Sequence, residues 1–162
     1  MSVRQACFVT VTISVESPVQ DDVRSLVAQL NDHLVPLSPK EFQFGISVAD
    51  MASPETSVFV ARRCDGGAVG IGALTRHDAG IGEVKRMFTV PAARGVRIGA
   101  RVLDAIIAQA REDGLEWLML ETGSGPAFRS AHRLYERAGF RRRGPFHDYP
   151  DSGWSAFYEL RL

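Results

Sequence analysis

The sequence predicts one mixed α/β domain over residues 1–162. Segments with the β-branched and aromatic character of strands are interspersed with segments of helical periodicity. Their order is β, α, a weak helix, three β, α, β, α and two β. Hydrophobic residues make up 45% and charged residues 23% of the chain, and no repeat or linker divides it. These observations favour a meander of strands whose later members are joined through helices.

The chain begins with a strand and a helix. Cys7–Val15 is rich in valine, isoleucine and threonine, which predicts a strand. Ser17-Pro18 opens a helix that Pro36 ends. Phe42–Met51 predicts only a short helix. The apolar face of the first helix is formed by residues at spacings of three and four, namely Val23, Leu26, Val27, Leu30 and Leu34.

Three strands follow as a meander. Ser57–Arg63 and Ala68–Arg76 have strand character, and Asp65-Gly66-Gly67 between them is typical of a hairpin turn because these residues tolerate positive φ. Glu83–Val90 is the next strand, which Pro91 closes.

Helices and strands alternate in the second half of the chain. Ile98–Asp113 shows helical periodicity, and Gly114 after it is a typical left-handed cap. Trp117–Thr122 predicts a strand and Arg129–Arg137 a short helix. The closing strands are Phe140–Arg143 and Ser155–Leu160.

Composition argues against several functional classes. No apolar run is long enough to span a membrane, and the first residues lack an apolar signal core, so we expect a cytoplasmic protein without a membrane partner. The formal net charge of zero argues against a nucleic-acid partner. Neither the four histidines nor Cys7 and Cys64 show the spacing of metal ligands. We therefore expect no metal site and reduced thiols.

A glycine-containing segment, Arg94–Ala100, lies between a strand and an amphipathic helix. Backbone N–H groups in such a turn approach a phosphate closely, and the helix N-terminus adds free donors and positive potential. The surrounding residues 85–143 carry twelve Lys/Arg and six Asp/Glu, which suits a phosphorylated cofactor. A tight turn for helix packing, among solvated basic faces, explains the same residues. The segment is neither a nucleoside triphosphate loop nor a dinucleotide fingerprint.

Three motifs in order resemble those of the GNAT acetyltransferase superfamily. Arg94–Gly99 is similar to its pyrophosphate motif Gln/Arg-x-x-Gly-x-Gly/Ala, although Arg97 stands where the family usually has glycine. The preceding strand resembles the fourth strand of that fold. Leu134–Phe140, in sequence Leu-Tyr-Glu-Arg-Ala-Gly-Phe, resembles the signature after the fifth strand, although Phe128 replaces a frequent asparagine.

The resemblance implies a fold and a cosubstrate. The fold would be a mixed, mostly antiparallel sheet of six to seven strands flanked by helices, and the cosubstrate acetyl-CoA. Many members are dimers, so a homodimer stays open. The resemblance places the cofactor against the fourth strand and the loop after it, at Met87, Phe88, Val90, Arg94, Gly95, Val96, Arg97, Ile98, Gly99 and Ala100. Arg133 on a later helix is a further candidate for holding the cofactor phosphates, although a turn of solvated arginines is the simpler explanation.

The chemistry of acetyl transfer to an amine requires a base and an acid. A lysine-like amine has a pKa of about 10.4 and must lose a proton before it attacks. Glu83 occupies a position where several members carry a catalytic glutamate, but an exposed carboxylate paired with Lys85 or Arg86 explains it equally well. Tyr135 is the predicted acid for the leaving thiolate. Its alternative role is that of a core aromatic residue.

The acceptor pocket is the least readable part of the sequence. Arg86 is a candidate clamp for a substrate carboxylate, or else a partner for an acid of the chain. Further candidate substrate-binding residues near the predicted site are Glu121, Thr122, His147 and Tyr149.

Four functions stay open at this point. The first is transfer of acetyl to a small amine or amino acid, and the second is the same chemistry on a protein N-terminus or lysine. The third is a non-catalytic acyl-CoA-binding module, which the departures at Arg97 and Phe128 allow. The fourth, binding of another nucleotide, has no supporting feature.

Overall fold

The computed structural model describes residues 10–162, which form a seven-stranded mixed sheet in the order β1-β2-β3-β4-β5-β7-β6. All neighbouring pairs are antiparallel except β4 and β5. The predicted fold class is confirmed. The strands are β1 Val11–Val15, β2 Thr56–Arg63, β3 Ala68–Arg76, β4 Ile81–Thr89, β5 Trp117–Gly123, β6 Arg141–Arg143 and β7 Ser155–Arg161. The helices are α1 Asp21–Leu34, α2 Val48–Met51, α3 Ile98–Glu112 and α4 Arg129–Arg137.

The helices cover both faces of the sheet. The apolar face of α1 packs on one side, where Leu26 and Met51 join Val60, Ile71 and Phe88. Helix α3 packs on the other, where Val102 and Ile106 contact Leu74 and Val84. Within the described residues, no helix is both long and apolar enough to cross a bilayer.

Most predicted elements are confirmed to within two residues, and the exceptions are α1 and α2. The helix predicted to open at Ser17-Pro18 begins at Asp21, because residues 18–19 form a turn. Phe42–Met51 was predicted as a helix, but only Val48–Met51 is α-helical. Ser47 begins it: its hydroxyl accepts from the Asp50 N–H, and the Asp50 carboxylate accepts from the Ser47 N–H. This capping box fixes the start of the helix, and residues 43–47 before it have no regular secondary structure. The early part of the predicted strand Cys7–Val15 lies outside the described residues.

Cys64, directly after β2, is disulfide-bonded. The expectation of a reduced thiol is therefore wrong at this position, and Cys7 lies outside the described residues. Sequence separation did not reveal the bond, because only the fold decides which cysteines come within bonding distance.

The parallel pair β4 and β5 separates soon after it begins. Only Ile81–Glu83 pairs with Trp117–Met119, although β4 continues to Thr89 and β5 to Gly123. The diverging part of β4 also contains a β-bulge, in which two residues, Arg86 and Met87, lie opposite Gly72 of β3. The resulting gap between the carboxyl ends of the two strands is the place where a ligand can reach the backbone of β4.

An ion pair ties the segment after β1 to β2. Arg62 donates to both carboxylate oxygens of Glu16, from Nε at 2.9 Å and from Nη2 at 2.7 Å, and it also binds Asp22 at the start of α1. The hydrogen bonds and charge of Arg62, opposed by partial burial, lower the pKa of Glu16 from 4.5 to about 2.

Glu16→Gln is expected to reduce the free energy of unfolding by about 1 kcal/mol at neutral pH. Because the folded-state pKa of Glu16 is lowered, its contribution is full above pH 4.5 and is lost as the pH falls towards about 2. Urea unfolding of wild type and Glu16→Gln, above pH 4.5 and near pH 2, tests this pH dependence. Glu41→Gln, at an exposed position, is the control. A difference between Glu16→Gln and wild type that does not change with pH would contradict this account.

Candidate functional site

A cleft of about 780 Å³ opens where β4 and β5 diverge, and we refer to it as the main cleft. One wall is the end of α1 with the segment 42–47, and the opposite wall is α4. Its base is formed by residues 84–89 of β4 and 121–123 of β5. Arg94 and Gly99, from the loop between β4 and α3, line one end.

The loop after β4 brings backbone donors to the N-terminus of α3. Gly95 has φ +84° and Arg97 has φ +63°, so both are left-handed. Arg97 is the residue before the first turn of α3, its side chain is exposed, and the next residue, Ile98, is buried in the core. Arg97 therefore adopts a backbone conformation that glycine usually provides, while its side chain remains free to meet an anion.

Tyr135 lines the main cleft from α4. Its side chain is buried, and its ring packs against Phe140 and Tyr158 with centroids 5.9 and 6.0 Å away. No described residue forms a hydrogen bond with its hydroxyl group. Burial, with the nearby charge of Glu121, raises the pKa of Tyr135 well above its ordinary value. The phenol therefore keeps its proton at neutral pH and has one to donate.

Glu121, on the diverging part of β5, is the one carboxylate among the described residues that line the main cleft. Ser155 Oγ donates to one of its oxygens at 2.6 Å. Burial raises the pKa of the Glu121 carboxyl, although the Ser155 hydrogen bond and the charge of Lys85 oppose the shift. A carboxylate with a raised pKa is a stronger base than an exposed one.

Glu83 lies in a different environment, at the end of the paired part of β4. Its side chain is 4% exposed and accepts hydrogen bonds from Lys85 Nζ at 2.9 Å and from the Tyr149 hydroxyl, while His77 Nε2 lies 2.9 Å from its other oxygen. Burial would raise the pKa of Glu83, but Lys85, Tyr149 and His77 together hold it below its usual value. Such a carboxylate is a weak base with its lone pairs already engaged.

Glu83 lines a smaller cleft of about 420 Å³, whose lining does not include Tyr135. Its lining includes His77, Tyr149 and exposed His147, whose ring centroid lies 4.5 Å from that of His77. The ligand atoms of His77, Glu83 and His147 lie within 4.8 Å of one another, a separation that a metal ion could bridge. The absence of a metal site stays a prediction.

Comparison with known proteins places this geometry in a family. Residues 54–142 match the family described as acetyltransferase (GNAT) domain. The IAA acetyltransferase of Azospirillum brasilense is 45% identical over 153 residues, which cover 94% of this chain and 98% of that protein. The chain belongs to the GNAT acetyltransferase family.

Two more distant similarities agree with this assignment. The aminoalkylphosphonate N-acetyltransferase of Salmonella typhimurium is 29% identical over 75% of this chain and 79% of its own length. A solved structure from Klebsiella pneumoniae, described as an acyl-CoA N-acyltransferase, superposes with a TM-score of 0.78 at 29% identity. The superposition covers 95% of this chain and 99% of the Klebsiella chain. Membership of this family makes the chain an acyltransferase.

Within this GNAT domain, the predicted cofactor residues divide into two groups. Met87, Phe88, Arg94 and Gly99 line the main cleft. The remainder do not line it: Val90, Gly95, Val96, Arg97, Ile98, Ala100 and Arg133. Gly95, Val96, Arg97 and Arg133 are exposed, whereas Ile98 packs in the core. Ile98 thus anchors the loop, and its side chain is not available to a ligand.

The predicted substrate residues also separate. Arg86, Glu121 and Thr122 line the main cleft together with Tyr135. His147 and Tyr149 line the smaller cleft with Glu83 instead. The structure therefore brings Tyr135 together with Glu121, and it places the predicted base Glu83 outside the lining of the main cleft.

Several residues of the site were not predicted from sequence. Asn31 and Gly45 contact the Arg86 side chain, and Ser155 orients Glu121. Phe128, noted as a departure, lines the main cleft and packs against Gly123, where an added Cβ would lie 2.2 Å from its ring. Residues of this kind act through tertiary contacts and carry no periodic or spacing signal.

Proposed function

We propose that this chain transfers the acetyl group of acetyl-CoA to a small primary amine, by direct attack of the amine on the thioester. The observation that supports this most strongly is the content of the main cleft. Tyr135, which has a proton to donate, and Glu121, a carboxylate of raised pKa, lie in the same cleft as the diverging end of β4.

The loop after β4 supplies the features needed to hold a pyrophosphate. Its backbone leads into the N-terminus of α3, a helix of 15 residues whose first N–H groups have no partner within the helix. Arg94 lines the cleft beside it, and exposed Arg97 adds a second positive charge. Because the helix N-terminus and the arginines all favour anions, these residues fit the phosphates of a coenzyme A group.

The remainder of the cofactor would extend along β4. After Glu83 the edge of β4 that faces β5 has no strand partner, so its backbone groups are open to the pantetheine arm. A backbone N–H near Met87 or Phe88 would then donate to the carbonyl oxygen of the thioester as negative charge develops there.

Glu121 is the better candidate for the general base. It lines the cleft in which the thioester would lie, and its raised pKa favours proton uptake. Glu83 accepts hydrogen bonds from Lys85, which lines the main cleft, and from Tyr149, which lines the smaller one, so we assign it a positioning role. In the reaction, Glu121 takes a proton from the amine, directly or through a water. The amine nitrogen bonds to the carbonyl carbon, and the C–S bond breaks.

Tyr135 completes the reaction by giving its proton to the leaving sulfur. A phenol does not readily protonate a free thiolate of lower pKa, but a donor in contact with the developing charge stabilises it as the bond breaks. The buried hydroxyl has no competing hydrogen bond among the described residues, so it remains available for this contact.

A small amine fits the site better than a protein chain. Helix α1, the segment 42–47 and α4 wall the main cleft on two sides. The Salmonella relative is named for a small amine, an aminoalkylphosphonate. Transfer to a protein N-terminus or lysine is the second candidate, and it would need a groove open to an extended chain.

Two assays test the proposal. Calorimetric titration is expected to show saturable binding of acetyl-CoA and none of ATP or NAD. Incubation with labelled acetyl-CoA and a whole-cell lysate is then expected to label small molecules. Label confined to protein would favour the second candidate, and binding without any transfer would favour a non-catalytic acyl-CoA-binding module.

Arg97→Ala is expected to weaken acetyl-CoA binding about two- to fivefold at low ionic strength, because an exposed charge near a phosphate contributes about 1 kcal/mol at most. The effect should shrink as salt is added, since salt screens exposed charges. Calorimetry at two salt concentrations measures it, with Arg111→Ala on the exposed end of α3 as the control. Equal affinity of Arg97→Ala and wild type at both salt concentrations would show that Arg97 does not contact the cofactor.

A further inference from the structure

Arg86 is the most unusual charged residue of the main cleft. It is 9% exposed, and Arg86 and Glu83 are the two charged residues buried to this degree among those described. Whereas Glu83 has Lys85, Tyr149 and His77 as partners, Arg86 has a single hydrogen bond, from Nη2 to the side-chain oxygen of Asn31. Its Nε is buried without any partner.

A backbone irregularity places Arg86 in this position. It has φ +57°, a left-handed conformation that is unfavourable for a residue with a Cβ atom. In a regular strand Arg86 would point to the opposite face from Lys85. The bulge at Arg86 instead directs Met87 towards α3, into the space left by Gly72, and Arg86 towards Asn31 of α1.

No carboxylate of the described chain compensates the charge of Arg86. It forms no ion pair with any of them, and burial alone lowers its pKa from the ordinary arginine value. Burial of an uncompensated charge is unfavourable, and so is the left-handed backbone. The residue thus combines two destabilising features, and its one side-chain hydrogen bond among the described residues, to the neutral amide of Asn31, does not neutralise its charge.

The guanidinium lies on the cleft side of β4. Arg86 lines the main cleft with Tyr135 and Glu121, and it packs over Gly45, where an added Cβ would lie 2.3 Å from Nη1. The other charged residues of this lining are Lys85, which is paired with Glu83, and Arg94 and Glu121. Of the two arginines in this lining, Arg94 is exposed, whereas Arg86 is buried and has no carboxylate partner among the described residues.

We propose that Arg86 binds an anionic group of the acceptor, so that the substrate is an amine that also carries a carboxylate or a comparable oxyanion. The inference rests on the proposed function and names its substrate class. A carboxylate accepts two parallel N–H bonds from the planar fork of an arginine. Bound in this way, the acceptor is fixed at one end by Arg86 while its amine reaches Glu121 and the thioester.

The experiment compares amine acceptors in matched pairs, an amino acid and its carboxamide, by thiol release from acetyl-CoA. Wild type is expected to favour the acid by about 100-fold in kcat/KM, because removal of the anion leaves a buried charge unpaired. Aminoalkylphosphonates and their esters form a second set of pairs, which identifies the oxyanion.

Arg86→Met is expected to remove this preference by lowering kcat/KM for the acid about 100-fold, with the rate on the carboxamide retained. Arg86→Lys keeps the charge but loses the planar fork, so its kcat/KM for the acid should lie between those of wild type and Arg86→Met. Arg111→Met is the control for loss of an arginine at an exposed position.

The outcomes separate the two proposals. Equal use of acid and carboxamide by wild type, or an unchanged ratio in Arg86→Met, would overturn the role of Arg86 while leaving acetyl transfer intact. Absence of turnover with every amine, despite binding of acetyl-CoA, would instead refute the proposed function. Retained turnover of the carboxamide by Arg86→Met shows that the variant is folded.

Discussion

Replacement of Glu121 by glutamine is expected to lower kcat by about 100- to 1,000-fold, the usual contribution of a general base. Glutamine has the same shape and keeps an oxygen to accept from Ser155, so the cleft should be unchanged and acetyl-CoA should bind with near wild-type affinity. Steady-state kinetics with a saturating amine, together with calorimetry of the cofactor, measures both effects.

The pH profile gives this prediction a second readout. The base must be ionised to accept a proton, and burial raises the pKa of Glu121. Activity should therefore be lost as the pH falls through a pKa above the ordinary carboxyl value of 4.5. If Glu83 were the base instead, the acid limb would lie below 4.5, because its pKa is lowered.

Glu83→Gln is the matched control. It removes a carboxylate that is held by Lys85 and Tyr149, so we expect a change in KM and stability larger than the change in kcat. A large loss of kcat in Glu83→Gln with little loss in Glu121→Gln would assign the base to Glu83, as the sequence alone suggested.

Tyr135→Phe is expected to lower kcat by about 100-fold while leaving the affinity for acetyl-CoA nearly intact. The substitution removes a hydroxyl that has no hydrogen-bond partner among the described residues, so neither folding nor cofactor binding depends on it. Tyr158→Phe, on a buried ring 6.0 Å away whose hydroxyl donates to Glu136, is the control. Unchanged turnover in Tyr135→Phe would remove Tyr135 from the reaction.

The arrangement of helices and strands was readable because each segment carries its own periodicity. The short helix Arg129–Arg137 and the hairpin at Asp65-Gly66-Gly67 are examples, since spacing and turn residues fix both locally. The segment after α1 was not readable in this way. Lys40–Phe42 forms a 3-10 turn, residues 43–47 have no regular secondary structure, and residues 42–47 line the main cleft.

The site was only partly predictable, for a physical reason that Arg86 illustrates. Strand alternation would place Arg86 on the face opposite Lys85, and only the bulge opposite Gly72 reverses this. A positive φ at arginine has no signal in the sequence. The choice between the two carboxylates was not predictable from sequence for the same reason. Burial and tertiary partners lower the pKa of Glu83 and raise that of Glu121.

In the proposed reaction, the main cleft joins an acetyl group to a free amine. The most direct test is to quantify free coenzyme A and N-acetylated amine together, by mass spectrometry, after incubation of the protein with acetyl-CoA and a panel of small amines. We predict equal amounts of the two products, formed with an amine that carries an oxyanion. Release of coenzyme A without any acetylated amine, or no release despite saturated cofactor binding, would contradict this account.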